Sequence, residues 1–337
     1  MSAANRDHQA GATSADQAPS AASLEWGFPN RATPAGSSAY YAVRMSAAPH
    51  RNALAALFAL RAELQAIPDQ VSDPGIARIK LDWWRTEIDR LFAGEPRHPL
   101  SERLAPVVAQ HRLPRPAFID LIEGVDRVLR AHRQPDQEAQ RQSDEQDLGA
   151  LFELIARCEG ADTADQEQLT TARRAGGWCA QVRRIRDAGL LLRHGREVLP
   201  ADQLAAAELS HEQLASADGR QRLPELLRPI AEQLRAAAPD QAGRERDPEQ
   251  TQAGQAAASP QRSRRFGDFL TPRTNPTLAG LTPAIRVQLR LHQDLLNVLQ
   301  RSNFDVADHR IGLTPLRKFW LAWRATAHGS ASSETAR

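Results

Sequence analysis

Between Asn52 and Leu91 apolar and polar positions alternate with a helical period. Leu54, Leu57, Phe58, Leu64 and Ile67 recur at three-, four- and seven-residue steps, which puts a continuous apolar stripe on one side of a first helix. Pro68 weakens its last turn. Ser72-Asp73-Pro74 then restarts the chain, with a polar cap ahead of a proline suited to a first helical turn. In the second helix Leu81, Trp84, Ile88 and Leu91 share one face, and Ile76, Ile79 and Trp83 widen it, so the pattern predicts a helix packed on more than one side.

The same period predicts helices over residues 99–110 and 116–132. In the latter, Phe118 and Ile119 begin an apolar stripe that continues through Leu121, Val125, Val128 and Leu129, and Glu123 with Asp126 reads as a solvated edge. The strongly polar stretch 134–147 predicts a loop. A helix over 147–159 comes next, carrying Leu148, Leu151, Phe152 and Ile155 in register and Cys158 as a small core residue. Residues 172–204 have Trp178, Val182 and Ile185 as their spine; Arg183, Arg184 and Arg186 must spread around that helix, so some face solvent. Two short helices after Pro200, a longer one near 223–238 and another over 281–301 complete an all-α chain. The last helix, over 313–324, gathers Leu316, Phe319, Trp320 and Trp323 on one face beside Arg317, Lys318 and Arg324. That combination suits either peripheral contact with a membrane interface or docking onto the domain.

Composition sets the boundaries of the domain. Residues 1–35 are rich in Ala, Ser, Gln, Gly and Pro and predict a disordered tail; 239–265 predicts a disordered insertion and 327–337 a second tail, leaving one helical domain over 36–326. The tail lacks the basic start and apolar core of a signal peptide. In 337 residues the 43 basic and 41 acidic side chains nearly cancel, which argues against nucleic acid as a partner. Cys158 and Cys179 form neither a C-x-x-C pair nor a disulfide framework, so a reducing, cytoplasmic setting is expected. No apolar run reaches the roughly 20 residues of a membrane span. The chain has no G-x-S-x-G elbow, H-E-x-x-H helix or glycine-rich phosphate loop, and His98 and His194 read as structural or exposed.

Specific segments carry a resemblance. ALFALRAELQAIPDQVSDP followed by KLDWWRTEIDRLFAGEPRHPL, the run Ser37 to Arg44, Pro114 to Gly124, Arg186 to Pro200 and the ending Pro-Leu-Arg-Lys-Phe-Trp-Leu-Ala-Trp-Arg at 315–324 together resemble the squalene/phytoene synthase family. The resemblance implies a single helical bundle of the isoprenoid synthase type. In active members it also implies Mg²⁺-dependent head-to-head condensation of two prenyl diphosphates. Such members carry Asp-Asp-x-x-Asp on the first helix, because carboxylates one and four residues apart can share Mg²⁺ ions bound to a diphosphate. Here the matching positions are Gln65, Ala66 and Asp69. The second motif, Arg-Asp-Val-Gly-Glu-Asp in the family, reads Arg186-Asp187-Ala188-Gly189-Leu190-Leu191. Asp69 and Asp187 alone survive at the metal positions. The resemblance further implies phosphate contacts for Tyr41, Arg44 and Arg186; the other reading of Tyr40 and Tyr41 is that they pack the amino-terminal segment onto the core.

Two functional expectations result. The first is a degenerate, non-catalytic binding or assembly protein with no cofactor, working with a membrane protein complex or a lipid or prenyl ligand. It draws on a narrower likeness: Glu63-Leu64-x-x-Ile67-x-Asp69-x-Val71-Ser72 is similar to the corresponding segment of the family's mitochondrial complex I assembly factor. The second is an active prenyltransferase in which Asp69 and Asp187 bind Mg²⁺ while Arg44 and Arg186 hold phosphate. The missing carboxylates favour the first.

Overall fold

Asp73 decides where the second helix starts. Its carboxylate accepts from the backbone N–H groups of Gly75 (2.7 Å) and Ile76 (3.3 Å), and Pro74 occupies the first turn, where a missing N–H costs nothing. The computed structural model describes residues 26–71, 73–130, 133–162, 164–238 and 280–327. Among the described residues every regular element is helical. In chain order they are α1 (Ser38–Met45), a 3₁₀ turn (Ala48–His50), α2 (Arg51–Gln70), α3 (Pro74–Ala93), α4 (Pro99–His111), α5 (Arg115–Leu129), α6 (Gln137–Cys158) and α7 (Gln166–Arg193). Three short helices come next, α8 (Ala201–Ala206), α9 (His211–Ala215) and α10 (Ala217–Gln221), then α11 (Leu223–Ala236), α12 (Pro283–Arg301) and α13 (Pro315–Thr326). The all-α expectation is met. The expected insertion at 239–265 and the terminal stretches 1–25 and 328–337 lie outside the described residues.

The stripe of α2 extends around the whole helix at its start: Ala53 to Leu60 are all buried, because α1, α4, α5 and α6 surround it. The most extensive helix contact joins α6 to α7. It depends on glycine: a Cβ on Gly176 would come within 2.6 Å of both Gly149 Cα and the Leu148 carbonyl oxygen. The two backbones touch without intervening side chains. Further along α7, the Trp178 indole donates to the Leu234 carbonyl at 2.8 Å and so fixes α11.

Several expectations change. α3 packs on α2, α4 and α5 from one side only, so Leu81, Trp84, Ile88 and Leu91 are buried, whereas Ile76 (51%), Ile79 (68%) and Trp83 (42%) are exposed. The second packed side does not exist among the described residues. Val128 is exposed too, beyond the edge of the α5 stripe. Asp126 is buried rather than solvated, because Arg85 of the Trp-Trp-Arg segment (3.3 Å) and Arg130 (2.5 Å) both reach it, and Arg85 also donates to Glu123 at 2.8 Å. Residues 137–147 are helix, not loop. Asp136 caps them through the Ala139 N–H at 2.8 Å, Arg141 pairs with Glu138 and Glu145 one turn away on either side, and Arg184 of α7 reaches Asp144 at 3.0 Å. Their polarity serves bonds to a neighbouring helix. The stretch 172–204 is interrupted after Arg193, where Gly195 adopts a left-handed φ of 67°. Residues 26–35, assigned to the tail by composition, pack onto the domain: Trp26 is buried beside His98, and the Asn30 amide donates to the Ala55 carbonyl at 3.0 Å. Three short helices, not two, precede α11.

Gly176→Ala is expected to force α6 and α7 apart and to cost about 2–4 kcal/mol, the range of an overpacked site that cannot relax. Urea unfolding of the variant beside wild type measures it; a change below about 0.5 kcal/mol would mean that the helices can separate freely at this point.

Candidate functional site

The last two turns of α2 and of α7 carry the motif positions, and the loop after α7 joins them. Asp69 pairs with Arg196, which lies in that loop. Asp187 accepts from Arg186 Nε at 2.9 Å and from Arg310 Nε at 2.9 Å, the latter arriving from the segment between α12 and α13. Gln65 stands where an acid is expected and accepts from Arg61 Nη1 at 2.8 Å; the same guanidinium donates to Asp147 of α6 at 2.8 Å. Leu190 is partly exposed and Leu191 half-buried, so hydrocarbon occupies the two further acid positions expected of the second motif. Each surviving carboxylate is therefore held by arginine.

A close backbone approach positions Arg310. Gly189 lies against the Val306 and Ala307 carbonyls, and a Cβ there would collide with both. Arg193, one turn on, donates to the Ala307 carbonyl. The segment 305–310 is thus carried along α7 and delivers its arginine to Asp187.

Positive charge dominates around this node. Burial alone would raise the Asp187 carboxyl, but the bonds from Arg186 and Arg310 outweigh it and hold the group below the usual carboxylate range. Burial, reinforced by the nearby charges of Arg61 and Arg186, lowers the Arg183 guanidinium to about 10, and its Nε is enclosed without a partner. Burial also lowers Lys318, with Arg186 and Arg310 adding to the effect. His292 of α12 is buried, with Nδ1 2.7 Å from the Gln288 carbonyl; burial first and the field of Arg183 second lower it to about 3, which keeps the ring neutral and Nδ1–H donating.

The remaining expected site residues fall elsewhere. Tyr41 donates its hydroxyl to the Pro315 carbonyl at 2.8 Å, and its ring lies 6.4 Å from that of Phe319, so it packs α1 against α13. Tyr40 stacks on Phe28. Arg44 lies exposed in the last turn of α1. None of the three arginines at 183, 184 and 186 is fully solvated: Arg184 bonds Asp144, and Arg183 and Arg186 are half-buried. Periodicity does not reveal Arg61, Arg196 or Arg310 as partners of the motif positions. Arg61 alone left a signal, its i, i+4 spacing to Gln65.

Mg²⁺ requires a near-octahedral shell of oxygens, commonly from one or two free carboxylates together with waters and substrate phosphates. Among the described residues no group of three His, Cys, Asp or Glu side chains is close enough to hold a metal ion. With Asp69 and Asp187 already paired, the residues present do not fit the ion.

Two outcomes test this arrangement. Gly189→Ala is expected to push 305–310 away from α7 and cost about 2–4 kcal/mol, with the Asp187 carboxyl moving up once Arg310 leaves; carboxylate NMR titration reports the second effect, and an unmoved Asp187 would break the link to Gly189. For His292, the unfolded chain takes up a proton near pH 6.5, but the folded one only near 3. Between those values the unfolded state holds more protons, so stability is lost as pH falls below about 6.5, at up to about 1.4 kcal/mol per unit. Chemical unfolding at about pH 7 and pH 5 should differ by about 2 kcal/mol more in wild type than in His292→Gln; equal pH dependence would show that the buried ring titrates normally.

The squalene/phytoene synthase family matches residues 32–319. Phytoene synthase 1 of Arabidopsis thaliana, a chloroplastic protein, is 29% identical over 168 residues, 49% of this chain and 40% of its own length. Phytoene synthase 3 of Zea mays is 28% identical over 181 residues, 51% of this chain and 41% of that one. The matched region thus spans about two fifths of these plant relatives. Among solved structures, squalene synthase HpnC from Alicyclobacillus acidocaldarius superimposes with a TM-score of 0.59 at 19% identity, covering 81% of this chain and 92% of the other. A ligand-bound dehydrosqualene synthase gives 0.62 at 13% identity, with 86% and 90% covered. The structural likenesses give the isoprenoid synthase fold, and the match over most of the sequence gives the kinship: the chain belongs to the squalene/phytoene synthase family.

Proposed function

We propose that this chain is a non-catalytic member of its family, a binding or assembly protein in which arginine side chains bond the surviving acids where an active enzyme would bridge them with Mg²⁺. The observation that carries this reading is the pairing of both surviving acids, Asp69 with Arg196 and Asp187 with Arg186 and Arg310. The two pairs differ in weight. Asp69 is 58% exposed, and its pair contributes at most about 1 kcal/mol. Asp187 is mostly enclosed and held by two guanidiniums, so it resists a competing cation more strongly. Guanidinium never deprotonates in this range, so the pairing persists at any physiological pH. Glu63 to Ser72, with its likeness to the complex I assembly factor, supports assembly of a membrane complex as the form of the role. The cationic surroundings of Arg183, Arg186 and Lys318, together with Leu190 and Leu191, suit an amphiphile with an anionic head and a prenyl chain as an alternative ligand.

A second reading is an active head-to-head prenyltransferase, favoured by the phytoene synthase relatives at 28–29% identity. The deciding experiment is a radiolabelled turnover assay of the purified chain with farnesyl and geranylgeranyl diphosphates, Mg²⁺ and NADPH, run beside an Asp69→Ala/Asp187→Ala double variant. The expected outcome is no product from either protein, with helical circular dichroism intact. Product from wild type and none from the variant would end the non-catalytic reading and assign the chemistry to the two acids.

A further inference from the structure

The last helix turns its apolar side outward. Leu316, Phe319, Trp320 and Trp323 occupy one face of α13 and are 78, 49, 48 and 55% exposed, while Leu321 and Ala322 on the opposite side are buried where α13 packs on α12 and α1. At roughly 25 cal/mol per Å² of apolar surface, four large side chains left adjacent in water mark a surface built for contact.

The surrounding charge specifies the kind of contact. α13 carries Arg317, Lys318 and Arg324 and no Asp or Glu. The carboxylate that reaches α13, Asp294 of α12, is already neutralised by Arg317 at 2.8 Å. Lys318 donates to the Gly36 carbonyl at 3.0 Å, which ties the base of the helix to the segment before α1. The Arg324 guanidinium lies 4.5 Å over the Trp320 ring, so a cation is held at the level of an exposed indole. Tryptophan with arginine at its edge matches the boundary between acyl chains and phosphates.

We propose that α13 lies in the plane of an anionic lipid bilayer, with Leu316, Phe319, Trp320 and Trp323 in the acyl–headgroup boundary and Arg324 at the phosphates. Twelve residues make a helix of about 18 Å, too short to cross a bilayer of about 30 Å. No helix among the described residues is long and apolar enough to cross one. A second copy of the chain fits this face less well, because a two-fold contact sets each face against itself and would bring the Arg324 guanidiniums of two chains together. The face includes neither Asp69 and Asp187 nor their arginine partners, so the proposal stands whether or not the chain proves catalytic.

The test is co-sedimentation of the full chain with vesicles of phosphatidylcholine alone and of phosphatidylcholine with about one third phosphatidylglycerol. Wild type should bind the anionic vesicles more strongly than the neutral ones and release partly as salt rises. Trp320→Ser/Trp323→Ser should lower the partition coefficient by about tenfold or more, with an unchanged melting curve because both side chains are exposed. Lipids brominated in the acyl chain should quench wild-type tryptophan fluorescence more than that of the variant. Equal partitioning of wild type and variant, or no quenching, overturns the proposal. So does a concentration-dependent dimer that the same two substitutions dissolve, since the face would then belong to a second copy.

Discussion

The backbone contact between α6 and α7 sets the position of most other elements in the bundle. Gly149 and Gly176 let the two long helices meet without side chains between them, and close packing leaves no room for a register error. Charged side chains then fix the register on either side. Arg184 bonds Asp144 beside the crossing, and Arg173 joins Glu153 of α6 to Asp120 of α5. Burial raises the Asp144 carboxyl against the pull of Arg184, so this pair adds little net stability. Its effect lies in what its absence would do: sliding α7 by one turn would leave a buried acid without a counter-charge. The carboxyl half of α7, carrying Asp187, Gly189 and the two leucines, is aimed by that constraint.

Around Asp187 the counter-charge is supplied by fixed side chains, Arg186 beside it and Arg310 across from it. Arg310 comes from beyond α12, Arg196 from the loop after α7 and Arg61 from α2, so three separate segments converge on the motif positions. The two motif-bearing helices are thereby tied electrostatically to neighbouring segments, and the neutral His292 adds no further positive charge beside Arg183 and Arg186.

The helices with one-sided stripes were legible from spacing alone. Leu54, Leu57, Phe58, Leu64 and Ile67 are all buried, and the cap at Asp73 with Pro74 begins α3 as its chemistry requires. Periodicity reports which positions are apolar but not what stands opposite them. Hence Ile76, Ile79 and Trp83 looked like core and are surface, and the polar run from Gln137 looked like loop although Arg184 waits for Asp144 across the interface. Asp126 became core for the same reason, through Arg85 forty-one positions earlier in the chain. The candidate site was half visible. The residues at the motif positions, Arg186 beside Asp187 included, could be read from the sequence, but Arg196, which holds Asp69, and Arg310, the second partner of Asp187, lie 127 and 123 positions away, where no local pattern points to them.

The Arg61–Gln65 bond also limits what a single change at position 65 could do. An acid there would stand against a guanidinium already bonded to that side chain at 2.8 Å and to Asp147 beside it. The new carboxylate would find a salt bridge one turn away before it found a cation. A substitution at this position alone therefore adds charge without adding a free ligand.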